Sequence, residues 1–233
     1  MRLGVFEQIR AGAWGGDEFR AALSAGELPE YHGGELGSIF DQVGGECPFH
    51  QESLVEHISS VIDISIGLAD RNELGDDERT TLVTAATWHD VGKMVDRMWK
   101  TRHVCVTCGR PHGQPGDCRT DGCGGPLESR LVVGYHGHAQ SGASLWMWGN
   151  ISDRLGVPEP MRGHVRELIL RHSDVHSAIV KGRPEGDPLA VLLSWADEQA
   201  KVYPPYGDPV RKLSNFPGAY RNARRRQRLI PQK

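Results

Sequence analysis

Histidine or aspartate recurs at His57, His89, Asp90, His138, His172 and Asp197, each in or at the edge of a helically patterned segment. Imidazole and carboxylate together suit divalent transition metals, and four histidines with two aspartates exceed what one closed four-ligand site requires. The economical expectation is a two-metal centre with Asp90 as the bridging ligand. Taken singly, a histidine is more often a surface or capping residue, and this chain has eleven. Context sets these apart. His89-Asp90 follows the apolar run Leu82 to Ala86 and Trp88, and Asp197 follows Leu192-Leu193-Ser194-Trp195-Ala196. A charge buried there needs a partner or a metal.

A second constellation is made of thiols. Of five cysteines, four (Cys105, Cys108, Cys118, Cys123) are clustered, and Cys105-Val106-Thr107-Cys108-Gly109 has the two-residue gap and trailing glycine of a zinc knuckle. Cys118 to Cys123 forms a second, wider knuckle. Four thiolates suit a closed tetrahedral structural zinc with bonds of about 2.3 Å, an iron–sulfur cluster being the alternative. Residues 101–130 have almost no apolar side chains, so metal binding must supply the folding energy that no core provides. Arg102, Arg110, Arg119 and Arg130 mark this insert as a lid or phosphate-reading element beside the active-site mouth. Cys47 stands apart as a plain thiol.

The elements that must position these groups are helices. Residues 1–48 read as an irregular lead-in with short helical signals, such as Asp17 capping Glu18 to Ala25. The first strong helix opens at Ser53, with Glu56 three residues on completing a capping box, and carries an apolar stripe from Leu54 to Leu68. A second runs from Asp76 or Asp77 to His89-Asp90 and a turn past Gly92. A third is predicted from Ala139 to Leu155, ended by Gly156 and Pro158, and a fourth from Glu159 to His172. The fifth opens on Asp187 as cap with Pro188 at its first position. Strand signals are confined to the insert and Leu131-Val132-Val133. The expected class is all-α: a helical bundle at 49–203, interrupted by a small zinc-ribbon-like insertion, with a basic C-terminal tail at 204–233.

Charge is unevenly spread. The final 24 residues, Val210 to Lys233, hold eight Lys or Arg and no acid, leaving the rest at −11 against −3 for the whole chain. Tyr220 with Arg224, Arg225 and Arg226 is the composition of an RNA-contacting arm, guanidinium groups for phosphates and a ring for stacking; a solvated terminus is the plain alternative. No apolar run approaches the roughly 20 residues that cross a bilayer, and the N-terminus lacks a signal-peptide core. A soluble, cytoplasmic protein is expected.

Trp88-His89-Asp90-Val91-Gly92-Lys93, with His57 upstream and Asp197 downstream, resembles the signature of the HD superfamily of metal-dependent phosphohydrolases. His136-Gly137-His138-Ala139-Gln140-Ser141-Gly142-Ala143, then Arg154-Leu155-Gly156-Val157-Pro158, then Leu168-Ile169-Leu170-Arg171-His172, is similar to the HD domain attached to bacterial CCA-adding enzymes. The resemblance covers residues 49–203. It implies His57, His89, Asp90 and Asp197 as core metal ligands and His138 and His172 as the additional histidines of two-metal members. Asp90 and Lys93 take the catalytic roles, with Lys93 on the substrate phosphate.

It further implies one or two divalent ions (Mg, Mn, Ni, Co or Fe) and hydrolysis of nucleotides or RNA termini bearing 2′,3′-cyclic, 2′- or 3′-phosphates. The chain departs from the pattern at Ala139, where the family has Glu, and at His50, whose spacing to His57 is off by about one. It lacks a nucleotidyltransferase half, so CCA addition is not expected. His136 and His176 are competing ligand candidates, and His164 reads as a surface residue. Other readings are a nucleoside triphosphate or dinucleoside polyphosphate hydrolase, an HD-fold di-iron oxygenase, and a non-catalytic RNA-binding module.

Overall fold

The computed structural model describes residues 3–31, 52–96, 98–109, 111–112, 114–120, 122–135, 137–181, 186–201 and 213–229. Cys47, His50, Arg110 and His136 lie outside them. The described chain is mostly helical: α1 Val5–Arg10, α2 Gly16–Ser24, α3 Leu54–Arg71, α4 Asp76–Trp88, then a three-stranded ribbon (β1 Met98–Cys105, β2 Pro111–His112, β3 Leu127–Gly134), α5 His138–Trp148, α6 Ile151–Arg154, α7 Glu159–Val180, α8 Pro188–Ala200 and α9 Phe216–Leu229. None of these helices is long and apolar enough to cross a membrane.

Two helix starts follow from local chemistry alone. Ser53 accepts from the Glu56 backbone N–H while the Glu56 carboxylate accepts from the Ser53 N–H, the reciprocal capping box. Asp187 accepts from Leu189 N–H at 2.9 Å, with Pro188 at the first helical position. The core forms where α3 packs on α4 and α8, α4 and α5 pack on α7, and α7 packs on α8. α4 is its axis: every residue from Thr80 to Trp88 is buried, so the helix delivers His89 and Asp90 into the interior.

Several boundaries differ from the sequence expectation. α2 starts at Gly16, whose N–H donates to Asp63 Oδ1 of α3 at 2.7 Å, and Asp17 pairs with Arg20 instead of capping. The lead-in is no appendage: Phe19 and Tyr31 are fully buried. Tyr31 Oη donates to the Thr87 carbonyl and Trp14 Nε1 to Thr87 Oγ1, which clamps the end of α4. The helix expected over 139–155 breaks at Gly149-Asn150, where Asn150 takes a left-handed conformation (φ +59°). α7 continues past His172 to Val180 because Val165, Leu168, Ile169, Val175 and Ile179 extend one buried stripe. His172 lies inside that stripe.

The insert is longer than 101–130. Antiparallel pairing runs from Met98↔Gly134 to Cys105↔Leu127, because the flanks carry Val132, Val133 and Trp99, which favour strands. β2 pairs on the other edge of β1. The described part of the tail is not a solvated terminus: it forms α9, which packs on α8 through Phe216, Tyr220 and Ala223.

Candidate metal centre

Four helices and the end of a fifth aim six side chains at one interior point. His57 comes from α3, His89 and Asp90 from the C-terminal end of α4, His138 from the first position of α5, His172 from mid-α7 and Asp197 from α8. All are buried except His138, which is partly exposed. Each histidine has its Nδ1 engaged by an acceptor. His89 Nδ1 lies 2.8 Å from the Ala86 carbonyl, His138 Nδ1 2.6 Å from the Tyr135 carbonyl, and His172 Nδ1 2.7 Å from the Ile169 carbonyl. His57 Nδ1 faces Glu52 Oε1 at 3.2 Å. A carbonyl only accepts, so in His89, His138 and His172 the proton sits on Nδ1 and the Nε2 lone pair is left for the interior, the outer arrangement that orients metal-ligating histidines. His57 is buried, which lowers it, but the Asp197 and Glu52 carboxylates on its two nitrogens raise it on balance.

Those Nε2 atoms meet in two groups with Asp90 between them. Asp90 Oδ2 lies 3.5 Å from His57 Nε2 and 3.4 Å from His89 Nε2; Asp197 Oδ1 lies 3.1 Å from His57 Nε2 and 4.0 Å from His89 Nε2. Asp90 Oδ1 lies 3.4 Å from His138 Nε2 and 3.8 Å from His172 Nε2. His57, His89 and Asp197 thus form one triad able to hold a metal ion, and Asp90, His138 and His172 another. Such separations are those of ligand atoms sharing a cation at about 2.0–2.2 Å.

The fit rests on an incompatibility without a cation. His138 Nε2 and His172 Nε2 are 3.1 Å apart, and both rings keep their proton on Nδ1. Burial pushes His172 down to about 3, with His138 and His89 adding to the effect, and burial likewise lowers His138. Both rings are therefore neutral, and two lone pairs face each other across a hydrogen-bond distance. His89 Nε2 and Asp90 Oδ1 are also buried without a hydrogen bond of acceptable geometry. Buried acceptors in that state are costly, and a divalent cation in each triad removes the cost.

The carboxylates are ionised. Burial raises the Asp90 carboxyl, but the Lys93 ammonium and His89 outweigh it and hold the group well below the usual carboxylate range. Lys93 Nζ sits 2.5 Å from Asp90 Oδ2 and is itself buried. Asp197 is held low in the same way, against burial, by Lys201 and His57. Lys201 Nζ lies 3.3 Å from Asp197 Oδ2 and 2.9 Å from Glu198 Oε2, and His176 Nε2 completes the chain 3.0 Å from Glu198.

His176 is thus an outer residue rather than a competing ligand. His164 is not solitary on the surface either: it pairs with the α8 cap, Asp187, at 2.9 Å. Sequence reasoning missed Glu52, Glu198 and Lys201, because only the fold brings them behind the ligands. Their local signals are slight: Glu52 adjoins the Ser53 cap, and Lys201 follows Asp197 by one helical turn.

Gly92 sets the spacing between the two triads. A Cβ there would stand 1.9 Å from the His138 carbonyl oxygen and 2.5 Å from Gly142 N, so the turn after Asp90 touches the backbone that carries His138. Gly92→Ala is expected to destabilise the fold by at least the roughly 1–3 kcal/mol typical of overpacking and to spread the ligands. A lowered melting temperature together with loss of bound cation checks it; wild-type values for both would show that α5 can move.

The four thiols form a separate cluster. Cys105 Sγ–Cys123 Sγ is 3.6 Å and Cys108 Sγ–Cys118 Sγ 3.5 Å, close to the edge of a tetrahedron with bonds of about 2.3 Å. Backbone N–H groups of Cys108 and Thr120 donate to Cys105 and Cys118 Sγ, both at 3.4 Å. At Cys105 burial opposes ionisation, but the Cys108 and Thr107 backbone N–H groups outweigh it and draw the thiol down to about 6. At Cys123 the Gly125 N–H favours the thiolate, but burial and the other three sulfurs push it up to about 12. Four sulfurs this close do not all ionise unless a cation joins them.

The cluster is not at the mouth of the His–Asp centre. The ribbon is rooted there, where the Gly137 N–H donates to Asp96 Oδ2, but the cysteines lie at its other end, about 23 Å along eight-residue strands. Arg102, Arg119 and Arg130 ride on the ribbon, Arg130 paired with Glu128 at 3.2 Å. In the C-terminal helix, Arg224 does not serve as a free phosphate contact: its guanidinium makes a two-pronged pair with Glu78. Arg225 and Arg226 are exposed.

Comparison with family models, with curated proteins and with solved structures gives no match for this chain.

Proposed function

We propose that this protein is a metal-dependent phosphohydrolase of the HD type, acting on phosphate esters of nucleotides or RNA termini. The observation that carries the reading is the bridging position of Asp90, one oxygen toward each triad, with neutral His138 and His172 Nε2 atoms in mutual contact. His57, His89 and Asp197 would hold one divalent ion and His138 and His172 a second, Asp90 serving both. Bound there, divalent cations supply Lewis-acid polarisation of a phosphoryl oxygen and a nucleophilic water near neutral pH.

The chain's own groups do the rest. Glu52 and the Ala86, Tyr135 and Ile169 carbonyls fix the imidazoles, so no reorganisation is needed when charge develops at phosphorus. Lys93 is the buried cation nearest the bridge and is assigned to the phosphoryl oxygens of the substrate. Its ammonium neutralises Asp90 in the absence of substrate. His138 is the most exposed of the six side chains. The ribbon cysteines are assigned one structural zinc.

The test is elemental analysis of purified protein followed by assay on 2′,3′-cyclic nucleotides, 2′- and 3′-nucleotides, RNA bearing each end, and nucleoside triphosphates. The expected result is one zinc plus up to two other divalent ions per chain, with release of phosphate from 2′-phosphate ends or opening of cyclic ones. Turnover of triphosphates alone would keep the site and discard the RNA-end substrate. Iron with oxygen consumption and no phosphatase activity would replace the reading with an oxygenase.

A further inference from the structure

The C-terminal helix α9 divides its side chains sharply. Phe216, Tyr220 and Ala223 are buried against α8, and Arg224 is spent on Glu78. Arg221, Asn222, Arg225 and Arg226 are exposed. They occupy positions i, i+1, i+4 and i+5, so they form one contiguous patch on the helix surface. Among the described residues, none of its three arginines has an acidic partner. Like charges four residues apart, as Arg221 and Arg225 are, oppose helix formation. Here that cost is retained on a chain whose remainder is acidic, which points to a polyanion supplied from outside.

Position narrows the partner. The Phe216 ring stacks 6.2 Å from His176 and 6.1 Å from Trp195, and His176 contacts Glu198, the neighbour of the metal-centre residue Asp197. α9 therefore begins beside the Asp197 edge of the centre. Its arginine patch follows about 8–15 Å further along the helix axis, a span of a few stacked nucleotides. The exposed patch has no apolar side chain that could enter a lipid surface. The centre itself is too enclosed for the middle of a duplex: His57, His89, Asp90 and His172 are each at most 2% exposed.

We infer that the Arg221, Arg225 and Arg226 face of α9 is the docking surface for a single-stranded nucleic acid whose terminal phosphate enters the His–Asp centre. The inference rests on the phosphohydrolase reading for the direction of the chain and assigns its substrate class as polymer ends rather than free nucleotides. Asn222 supplies neutral hydrogen-bonding capacity within the patch, and Tyr220 stays buried in the helix–helix contact instead of stacking on a base.

The test is fluorescence anisotropy of the full chain, as purified with its metals, with a labelled single-stranded RNA of about a dozen nucleotides bearing a 3′-phosphate, over a salt series. Arg221→Gln/Arg225→Gln is expected to weaken binding at least tenfold at about 0.1 M salt. It should reduce the log–log salt slope by about 1.4, or roughly 0.7 for each phosphate no longer neutralised on a single strand. Hydrolysis of a mononucleotide ester should be unchanged, while KM for the oligonucleotide rises. Asn222→Arg adds a charge to the same patch and is expected to tighten binding; it keeps the inference falsifiable should the double variant fold poorly. RNA affinity indifferent to both variants overturns the inference, as does binding of phosphatidylserine vesicles or an acidic protein without binding of RNA. Because binding is read without turnover, an RNA-binding protein that hydrolyses nothing would instead refute the phosphohydrolase assignment and leave the surface in place.

Discussion

Asp90→Asn will empty both cation positions of the His–Asp centre at once, whereas His172→Ala will empty one. The asymmetry follows from geometry: Asp90 Oδ2 faces His57 and His89, its Oδ1 faces His138 and His172, and no other carboxylate among the described residues reaches both groups. An amide keeps the shape but offers one neutral oxygen, so the second triad is left with two imidazoles and the first loses its shared charge. Lys93, 6% exposed, also loses the carboxylate 2.5 Å away. Breaking a buried pair from one side costs about 3–5 kcal/mol.

Turnover should fall by about 10²–10³-fold, the scale seen when a preorganised charge-stabilising group is removed. Metal content by elemental analysis and kcat measured on the same sample check it. Retention of two ions, or of activity without them, would remove the bridging role and with it the two-metal assignment.

Cys105→Ser will melt the ribbon and spare the bundle. Cys105, Cys108 and Cys118 are buried in a small cluster of their own with Cys123 and Leu127, apart from the main core. Among the described residues Val104 is the one other buried apolar side chain at that end, so the ribbon has little other source of folding energy there. Structural zinc contributes apparent free energies of about 10–16 kcal/mol in small zinc-folded peptides, far more than so short a sheet gains from its few buried side chains.

Loss of one thiolate should release one zinc per chain and open the 98–134 segment to limited proteolysis. The helical circular dichroism of the bundle should stay near that of the wild type. A strong chelator at moderate temperature should reproduce the cleavage. A ribbon that stays protease-resistant with no zinc would show that the strands hold themselves, and the thiols would then need another explanation.

These outcomes separate what is encoded locally from what is not. The capping box at Ser53 and Glu56 and the Asp187-Pro188 start depend on atoms three residues apart or fewer, so residue identity alone predicts them. His89, Asp90 and Asp197 were legible because charged groups inside apolar runs demand a partner, and the cysteine knuckles because their spacing closes a tetrahedron; His57, His138 and His172 were read only from their recurrence on helical segments and from the resemblance to the HD pattern. The ends of α2 and α5, the length of α7 and the existence of α9 were not legible. α9 opens on Pro217 and Gly218, poor helix formers, and sets the like charges Arg221 and Arg225 four residues apart; it forms against α8 and Glu78, elements remote in sequence.

The order of residues settles which chemistry is available: imidazole, carboxylate and thiolate at positions that helices and a ribbon can carry. Its arrangement comes from the packing of the helices. Whether Asp90 bridges, which Nε2 faces which, that Lys201 and Glu52 stand behind ligands, and that Arg224 is structural while Arg221 and Arg225 are exposed all depend on distances between helices. Those distances are set by the packing of many side chains together, such as the contact of Gly92 with the His138 backbone, and no local spacing encodes them.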